Sequence, residues 1–522
     1  MQRSVSAEEF DQMTTLGDVA RHHGRTRGGR IALRFEGRET TFAEFDRNTN
    51  RVANALIAAG VKPGEAIAYL GKNSDHYFEL VFGAAKAGAI TVPIGWRLAS
   101  PEASFIAENA GARLLFVGEE CRDIAAAMEN APPLVDMVSQ YQAWRDAADE
   151  RDPAVAVDPH DTAVLLYTSG TTGKPKGVML TSANILRSRQ IAADALMDWN
   201  TWGPEEVSLV AMPAAHIGGT GWGIVGLLNG VTSVVAREFN PAQILDFIER
   251  DGVSKLFMVP AALQFVVRQP RAREVDYSRL RHILYGAAPI PVALLRECIE
   301  VFGCGFVQQY GLTETTGTIV YLPPEDHDPN GNTRMRAAGV PMPGVEIRIV
   351  DAAGDELGVN EIGEIVTRSA ANMKGYWRAD EATAKTMDGE GWLRTGDAGF
   401  LDEDGYLFIQ DRLKDVIISG AENVYPAEVE NAIAGHPHVA DVAVIGVPDE
   451  TWGEAVKAIV VPRPGLAPDS ASIIAHARER IAHYKAPKSV DFVEALPRSA
   501  SGKVLRRELR EPYWKGRERR VN

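Results

Sequence analysis

An apolar run, Ala163-Val164-Leu165-Leu166-Tyr167, leads directly into Thr168-Ser169-Gly170-Thr171-Thr172-Gly173-Lys174-Pro175-Lys176-Gly177, and this junction constrains the chain more than any other segment. The run reads as a buried strand. The ten residues after it hold three glycines, four hydroxyl side chains and two lysines. Glycines let backbone N–H groups approach an anion, hydroxyls donate further hydrogen bonds, and lysines supply positive charge, so the mix suits a polyphosphate. A nucleotide site at the end of a strand is an α/β arrangement. The loop is not a Walker A motif. That motif places four residues between its first Gly and Gly-Lys and follows the Lys with Ser or Thr. Here two residues separate Gly170 from Gly173-Lys174, and Pro175 follows.

The surrounding pattern agrees. Thr41-Phe42-Ala43-Glu44 is a capping box, Phe45, Thr49, Val52 and Leu56 follow at helical spacing, and Gly60 stands where that helix would stop. Strands are expected at 66–70, 114–117, 255–259, 282–284 and 305–308, and helices at 77–87 and 182–195. These describe a large α/β domain of mainly parallel sheets. From Val345 the pattern shifts to short strands at 345–350, 364–367 and 406–409, a β-rich subdomain over about 340–411. After residue 411 the chain restarts, with helices at 426–434 and 471–483 and strands at 441–446 and 456–461. A small α+β domain over 412–522 fits.

With 522 residues, more than one domain is expected. The net charge of −15 argues against a nucleic-acid partner. The basic stretch 503–520, eight Lys/Arg against three Asp/Glu, reads as a solvated end, with a weak contact to anionic lipid or to CoA phosphates left open. Cys121, Cys298 and Cys304 make no Cys-x-x-Cys pair, which fits a reducing cytoplasm. No apolar run reaches the ~18–20 residues of a membrane span.

Further motifs carry chemistry. In Gln308-Gln309-Tyr310-Gly311-Leu312-Thr313-Glu314-Thr315, Tyr310 offers a flat face for adenine and Glu314 a hard oxygen ligand for Mg²⁺. Trp392-Leu393-Arg394-Thr395-Gly396-Asp397 ends in a carboxylate able to accept from both ribose hydroxyls. Tyr285-Gly286-Ala287-Ala288-Pro289, Asp411-Arg412-Leu413-Lys414-Asp415 with Ser419-Gly420-Ala421-Glu422-Asn423, and Ser499-Ala500-Ser501-Gly502-Lys503 complete the set. In this order the segments resemble the adenylate-forming superfamily of acyl-CoA synthetases, luciferases and nonribosomal adenylation domains.

The resemblance implies a two-step ligase using ATP and CoA as substrates and Mg²⁺ as cofactor. It assigns catalysis to Lys503, Glu314 and His216. Nucleotide contacts fall to Thr168, Ser169, Gly170, Thr171, Thr172, Gly173, Lys174, Lys176, Gly286, Ala287, Ala288, Tyr310, Gly311, Thr313, Asp397, Arg412 and Lys503. Thr168 and Glu314 take the metal, Ser419, Gly420 and Ala421 border the CoA arm, and Lys414 is the hinge. Ala421 departs from the commoner Ser-Gly-Gly-Glu-Asn by one methyl group. The acyl pocket falls on His216, Gly218, Gly219, Trp222 and Gly223. The glycines at 218, 219, 221 and 223 would leave room along one wall, and no Asp stands in the segment to hold an α-ammonium. The acid is therefore read as a medium- or long-chain fatty acid or another bulky apolar acid, with an aryl acid of the cinnamate type as runner-up. A luciferase-like oxygenase and a silent acyl-AMP-binding module remain alternatives of other classes, and a homodimer is left open.

Overall fold

The computed structural model describes residues 3–168, 175–328, 330–419, 422–449, 452–466, 468–499 and 503–515, and for Arg412, Lys414 and Glu422 the backbone only. The Thr41 capping box forms: Thr41 N–H donates to Glu44 Oε2 at 2.8 Å and Glu44 N–H to Thr41 Oγ1 at 3.2 Å. It starts the helix Phe42–Ala58, whose Phe42, Phe45, Val52 and Leu56 are buried. Gly60 follows with φ +82°, a left-handed stop that favours glycine.

Two large sheets share one hydrophobic core. The nine-stranded sheet has a parallel centre made of Ile31–Phe35, Thr232–Val235, Val207–Val210, Lys255–Met258, His282–Gly286 and Gly305–Leu312. Antiparallel strands close both of its edges. The seven-stranded sheet is parallel from Leu134–Asp136 through Leu115–Val117, Ala66–Leu70 and Ile90–Ile94 to Thr162–Thr168. At Thr162–Thr168 the sequence-based expectation needs one addition. Lys176–Thr181 pairs antiparallel with that strand, Thr168 opposite Lys176, so the strands before and after the Gly/Ser/Thr segment are neighbours in the sheet. The chain is thus α/β, with mainly parallel sheets in its large N-terminal part.

Four antiparallel strands, Glu346–Val350, Gly363–Arg368, Leu393–Leu401 and Leu407–Arg412, make the β-rich unit. The Thr-Gly-Asp segment lies inside the third of them, where Gly396 takes φ +70°. Beyond the short turn Leu413–Asp415, a sheet built on Val439–Asp449 and Gly453–Pro462 has its own core of Val429, Ile433, Val444, Val456 and Ile473. Its helix Ser470–Arg478 ends earlier than the expected residue 483, and Ala486 beyond it is fully buried in that core. Arg506 and Arg510, near the C-terminus, reach back to Asp411 (3.9 Å) and Asp415 (2.9 Å) around this junction. No helix among the described residues is long and apolar enough to cross a membrane.

Burial holds several imidazoles neutral. It lowers His23 to about 3 and His282 and His327 to about 4. In the unfolded chain these groups titrate near ~6.5, so between pH ~4 and ~6.5 the unfolded state binds more protons and stability rises with pH. The contribution is complete above pH ~6.5 and is lost as pH falls toward 4. Melting temperatures recorded across this window should drop steadily on acidification; a flat profile would contradict the burial of these rings.

Candidate active site

The strand Gly305–Leu312 runs into a tight turn, Thr313–Thr315, fixed by Leu312 N–H donating to Thr315 Oγ1 at 2.9 Å. The turn presents Glu314. Its Oε1 accepts from Tyr376 Oη at 2.9 Å and lies 3.5 Å from Thr168 Oγ1, at the outer edge of a hydrogen bond. The ammonium of Lys176 stands 4.9 Å from the Tyr376 ring centre. The expected pair Thr168–Glu314 is therefore brought together, with Tyr376 as a third oxygen. Tyr376 carries no local motif. It arrives because the two-residue strand Gly375–Tyr376 pairs with Lys176–Thr181, a long-range pairing that sequence spacing does not reveal.

Tyr310 and Asp397, expected at adenine and ribose, meet directly: Tyr310 Oη donates to Asp397 Oδ2 at 2.8 Å. Asp397 is buried, and its backbone faces that of Arg412 across paired strands. Gly286 and Gly311 are accounted for by backbone packing. A Cβ at Gly286 would lie 2.1 Å from the Gln309 carbonyl oxygen, and one at Gly311 1.7 Å from that of Gly317. Ala287 between Gly286 and Ala288 is exposed at φ +67°, and Thr316, which closes the Glu314 turn, has φ +54°. A β-branched residue in this region is strained, and such strain collects at ligand sites.

His216 caps the helix Ile217–Leu228, its carbonyl accepting from Gly219 and Thr220 N–H at 3.0 Å each. Among the described residues its buried Nε2 has no hydrogen-bond partner. Burial lowers its pKa to about 4, with smaller contributions from Lys503 and Arg97, so the ring is neutral at pH 7. Ser499 N–H donates to the Lys503 carbonyl at 2.8 Å, and Lys503 N–H donates to Ser499 Oγ at 3.2 Å.

The helix after His216 has two faces. Ile217, Thr220, Gly221 and Ile224, at i, i+3, i+4 and i+7, line a cavity. The residues expected to form the acyl wall are occupied otherwise. A Cβ on Gly219 would sit 2.2 Å from the Pro213 carbonyl oxygen, one on Gly223 2.2 Å from Phe78 Cζ, and one on Gly218 2.9 Å from Phe257 Cε1. Trp222 packs near Trp202 and Phe257 and donates to the Leu209 carbonyl at 3.0 Å. Close helix packing, not room for an acyl chain, therefore accounts for Gly219 and Gly223, and the cavity is lined by residues one position out of phase. Gly223→Ala should destabilise the protein by about 1–3 kcal/mol, read from thermal melts, because Phe78 is fully enclosed.

Ser419 is buried in the strand Ile417–Ser419. Ser169, Gly170, Thr171, Thr172, Gly173, Lys174, Gly420 and Ala421, and the side chains of Arg412 and Lys414, lie outside the described residues.

Residues 20–377 match the AMP-binding enzyme family and residues 428–503 the AMP-binding enzyme C-terminal domain. The chain belongs to the AMP-binding enzyme family. It is an AMP-forming acid–thiol ligase of the adenylate-forming superfamily. The ligase is 42% identical to the fatty acid–acyl-carrier-protein ligase ScoC of Streptomyces coeruleorubidus over 514 residues, 98% of this chain and 99% of that one. It is 39% identical to a feruloyl-CoA synthase of an Amycolatopsis species over 483 residues, covering 92% and 96% of the two chains. It superposes on ATP-bound MatB from Rhodopseudomonas palustris with a TM-score of 0.86 at 30% identity, covering 96% of this chain and 99% of the other.

Proposed function

We propose that this ligase activates a carboxylic acid with Mg·ATP and passes the acyl group to the thiol of CoA. The observation that carries the reading is the meeting of Thr168 and Glu314, whose side-chain oxygens lie 3.5 Å apart beside the point where the Gly/Ser/Thr segment follows Thr168. In the first step a carboxylate oxygen attacks the α-phosphorus and pyrophosphate leaves. In the second the thiolate attacks the acyl carbon, AMP leaves, and the thiol proton passes to solvent.

Lys503 serves the first step by holding positive charge against the acid's carboxylate and the α-phosphate. His216 contributes a hydrogen bond to the carboxylate without adding charge. Asp397 holds the ribose, and Tyr310, tied to it, lies along the adenine. Thr168 and Glu314, the latter oriented by the Tyr376 hydroxyl, form an all-oxygen set that would hold Mg²⁺, which, when bound with ATP, offsets phosphate charge. Residues 1–411 hold the nucleotide, and 412–522 turn about Lys414 between steps to replace Lys503 with the Ser419–Ala421 face. The free cysteines suit work in a reducing cytoplasm.

The acid is read as fatty or otherwise bulky and apolar in its body, since Val164, Leu180, Ile185, Ile217 and Ile224 wall the cavity; an aryl acid is the alternative favoured by the feruloyl-CoA synthase relative. The relative that loads an acyl carrier protein supports a second reading for the acceptor, a protein-borne pantetheine thiol. AMP release measured over a panel of acids, with CoA, with a pantetheinylated carrier and with neither, tests all of this. Thiol-dependent AMP release with at least one acid is expected. Adenylation without transfer to either thiol would favour the oxygenase alternative, and no turnover with any acid would revive the silent acyl-AMP-binding module.

A further inference from the structure

The carboxyl ends of three strands, drawn from both large sheets, meet at one side chain. Asn73 lies just beyond the strand Ala66–Leu70 of the seven-stranded sheet and directly before Ser74, which caps the helix Asp75–Lys86. Its side chain crosses to the nine-stranded sheet. Nδ2 donates to the Met212 and Ala236 carbonyls at 3.0 Å each, just past the strands Val207–Val210 and Thr232–Val235, and Oδ1 accepts from Ala214 N–H at 2.7 Å. Its backbone N–H donates to the Arg237 carbonyl at 3.0 Å. An asparagine amide has two hydrogens and one carbonyl oxygen, and all of them are engaged here. Asn73 is 3% exposed, and a buried amide is costly unless it is satisfied in this way.

The backbone that Asn73 holds leads to His216. Ala214 is gripped from both sides, its N–H by Asn73 and its carbonyl by the Thr220 hydroxyl, which donates to it. With that hydrogen committed, Thr220 Oγ1 accepts from the Tyr77 hydroxyl. Tyr77 is fully buried on the helix that starts two residues after Asn73, so both grips come from the one segment 73–77. His216 N–H donates to the Pro213 carbonyl at 3.0 Å, inside the held stretch. The backbone that carries the imidazole is therefore fixed by Asn73 and Tyr77. The grip falls at the carboxyl ends of the strands, where α/β sheets bind their ligands, and it lands on Ala214, two residues before His216.

We propose that Asn73 is a positioning residue for acid activation: together with Tyr77, which acts through Thr220, it sets the Met212–His216 loop so that the His216 imidazole meets the acid's carboxylate in the adenylating geometry. The inference rests on the role given to His216 above and names the residues that hold it in place.

Acid-dependent AMP formation, with a double-mutant cycle between positions 73 and 216, tests it. Asn73→Ala should lower kcat/KM for an accepted acid by ~10–100-fold, the range for a displacement of about 1 Å at a reacting group. The loss should not exceed that of His216→Ala, and the KM for ATP should stay unchanged. In a His216→Ala background, Asn73→Ala should change kcat/KM for the acid by less than ~2-fold, because its effect passes through the ring that is gone. Tyr77→Phe removes one hydroxyl and keeps the ring packing. It should show the same pattern at smaller size, and it carries the test if Asn73→Ala does not fold. Tyr141→Phe, which strips a buried hydroxyl hydrogen-bonded to Glu79 at 2.9 Å, is the stability control and should lower the melting temperature while leaving kcat/KM for the acid unchanged. A loss in Asn73→Ala or Tyr77→Phe that persists in full when His216 is absent overturns the proposal, as does a matching rise in the KM for ATP. The remaining failures are separable. His216→Ala without effect ends the reading of His216 and this inference with it. A large loss in His216→Ala beside unchanged Asn73→Ala and Tyr77→Phe ends this inference alone.

Discussion

Lys503→Ala should lower acid-dependent adenylate formation by ~10²–10³-fold, the usual cost of removing one group aimed at transition-state charge, while thioester formation from supplied acyl-AMP stays near the wild-type rate. The expectation follows from where the lysine acts. In the proposed reaction its ammonium stands where the acid's carboxylate would approach the α-phosphate, and both are anionic when they meet. Once the mixed anhydride exists, the charge problem of the first step is over, and the second needs the thiol rather than the lysine. Single-turnover assays started from acid with ATP and from acyl-AMP with CoA separate the two. Equal loss in both would show that Lys503 supports the fold of the site rather than the first step. Its backbone hydrogen bonds to Ser499 do not involve the side chain and should survive the substitution.

The second large effect is expected at Glu314. Glu314→Gln keeps the shape and removes the charge. Pyrophosphate exchange should fall by ~10²-fold or more, because one carboxylate supplies the negative charge in an otherwise neutral oxygen set. The Mg²⁺ concentration for half-maximal rate should rise with it. Tyr376→Phe removes only the hydroxyl that donates to Glu314 Oε1 and should cost less, ~10–100-fold in metal affinity, as for other groups that orient a ligand. If both variants lower the rate with no change in the Mg²⁺ requirement, Glu314 acts on the fold of its turn and not on the metal.

How much of this was legible in the sequence depends on how local each feature is. The Thr41 capping box, the strand before the Gly/Ser/Thr loop and the Thr168–Glu314 and Tyr310–Asp397 groups could be read because a short motif, together with its order along the chain, marks them. Tyr376 could not, because only the pairing of Gly375–Tyr376 with Lys176–Thr181 carries it to Glu314. The glycines after His216 show where such reading stops. Four glycines in seven residues suggested an open wall, yet Gly219 and Gly223 are used to bring the helix close to Pro213 and Phe78, and the cavity falls to Ile217, Thr220, Gly221 and Ile224. Glycine spacing alone does not say whether the missing side chain makes room for a ligand or for a neighbouring element.

The central claim, that the acid's own carboxylate attacks the α-phosphate, has a direct measurement. An accepted acid labelled with oxygen-18 in both carboxylate oxygens is turned over with ATP and the thiol, and the AMP and pyrophosphate are examined by mass spectrometry. The account predicts one labelled oxygen in AMP and none in pyrophosphate. Unlabelled AMP, or label in pyrophosphate or free phosphate, would contradict it.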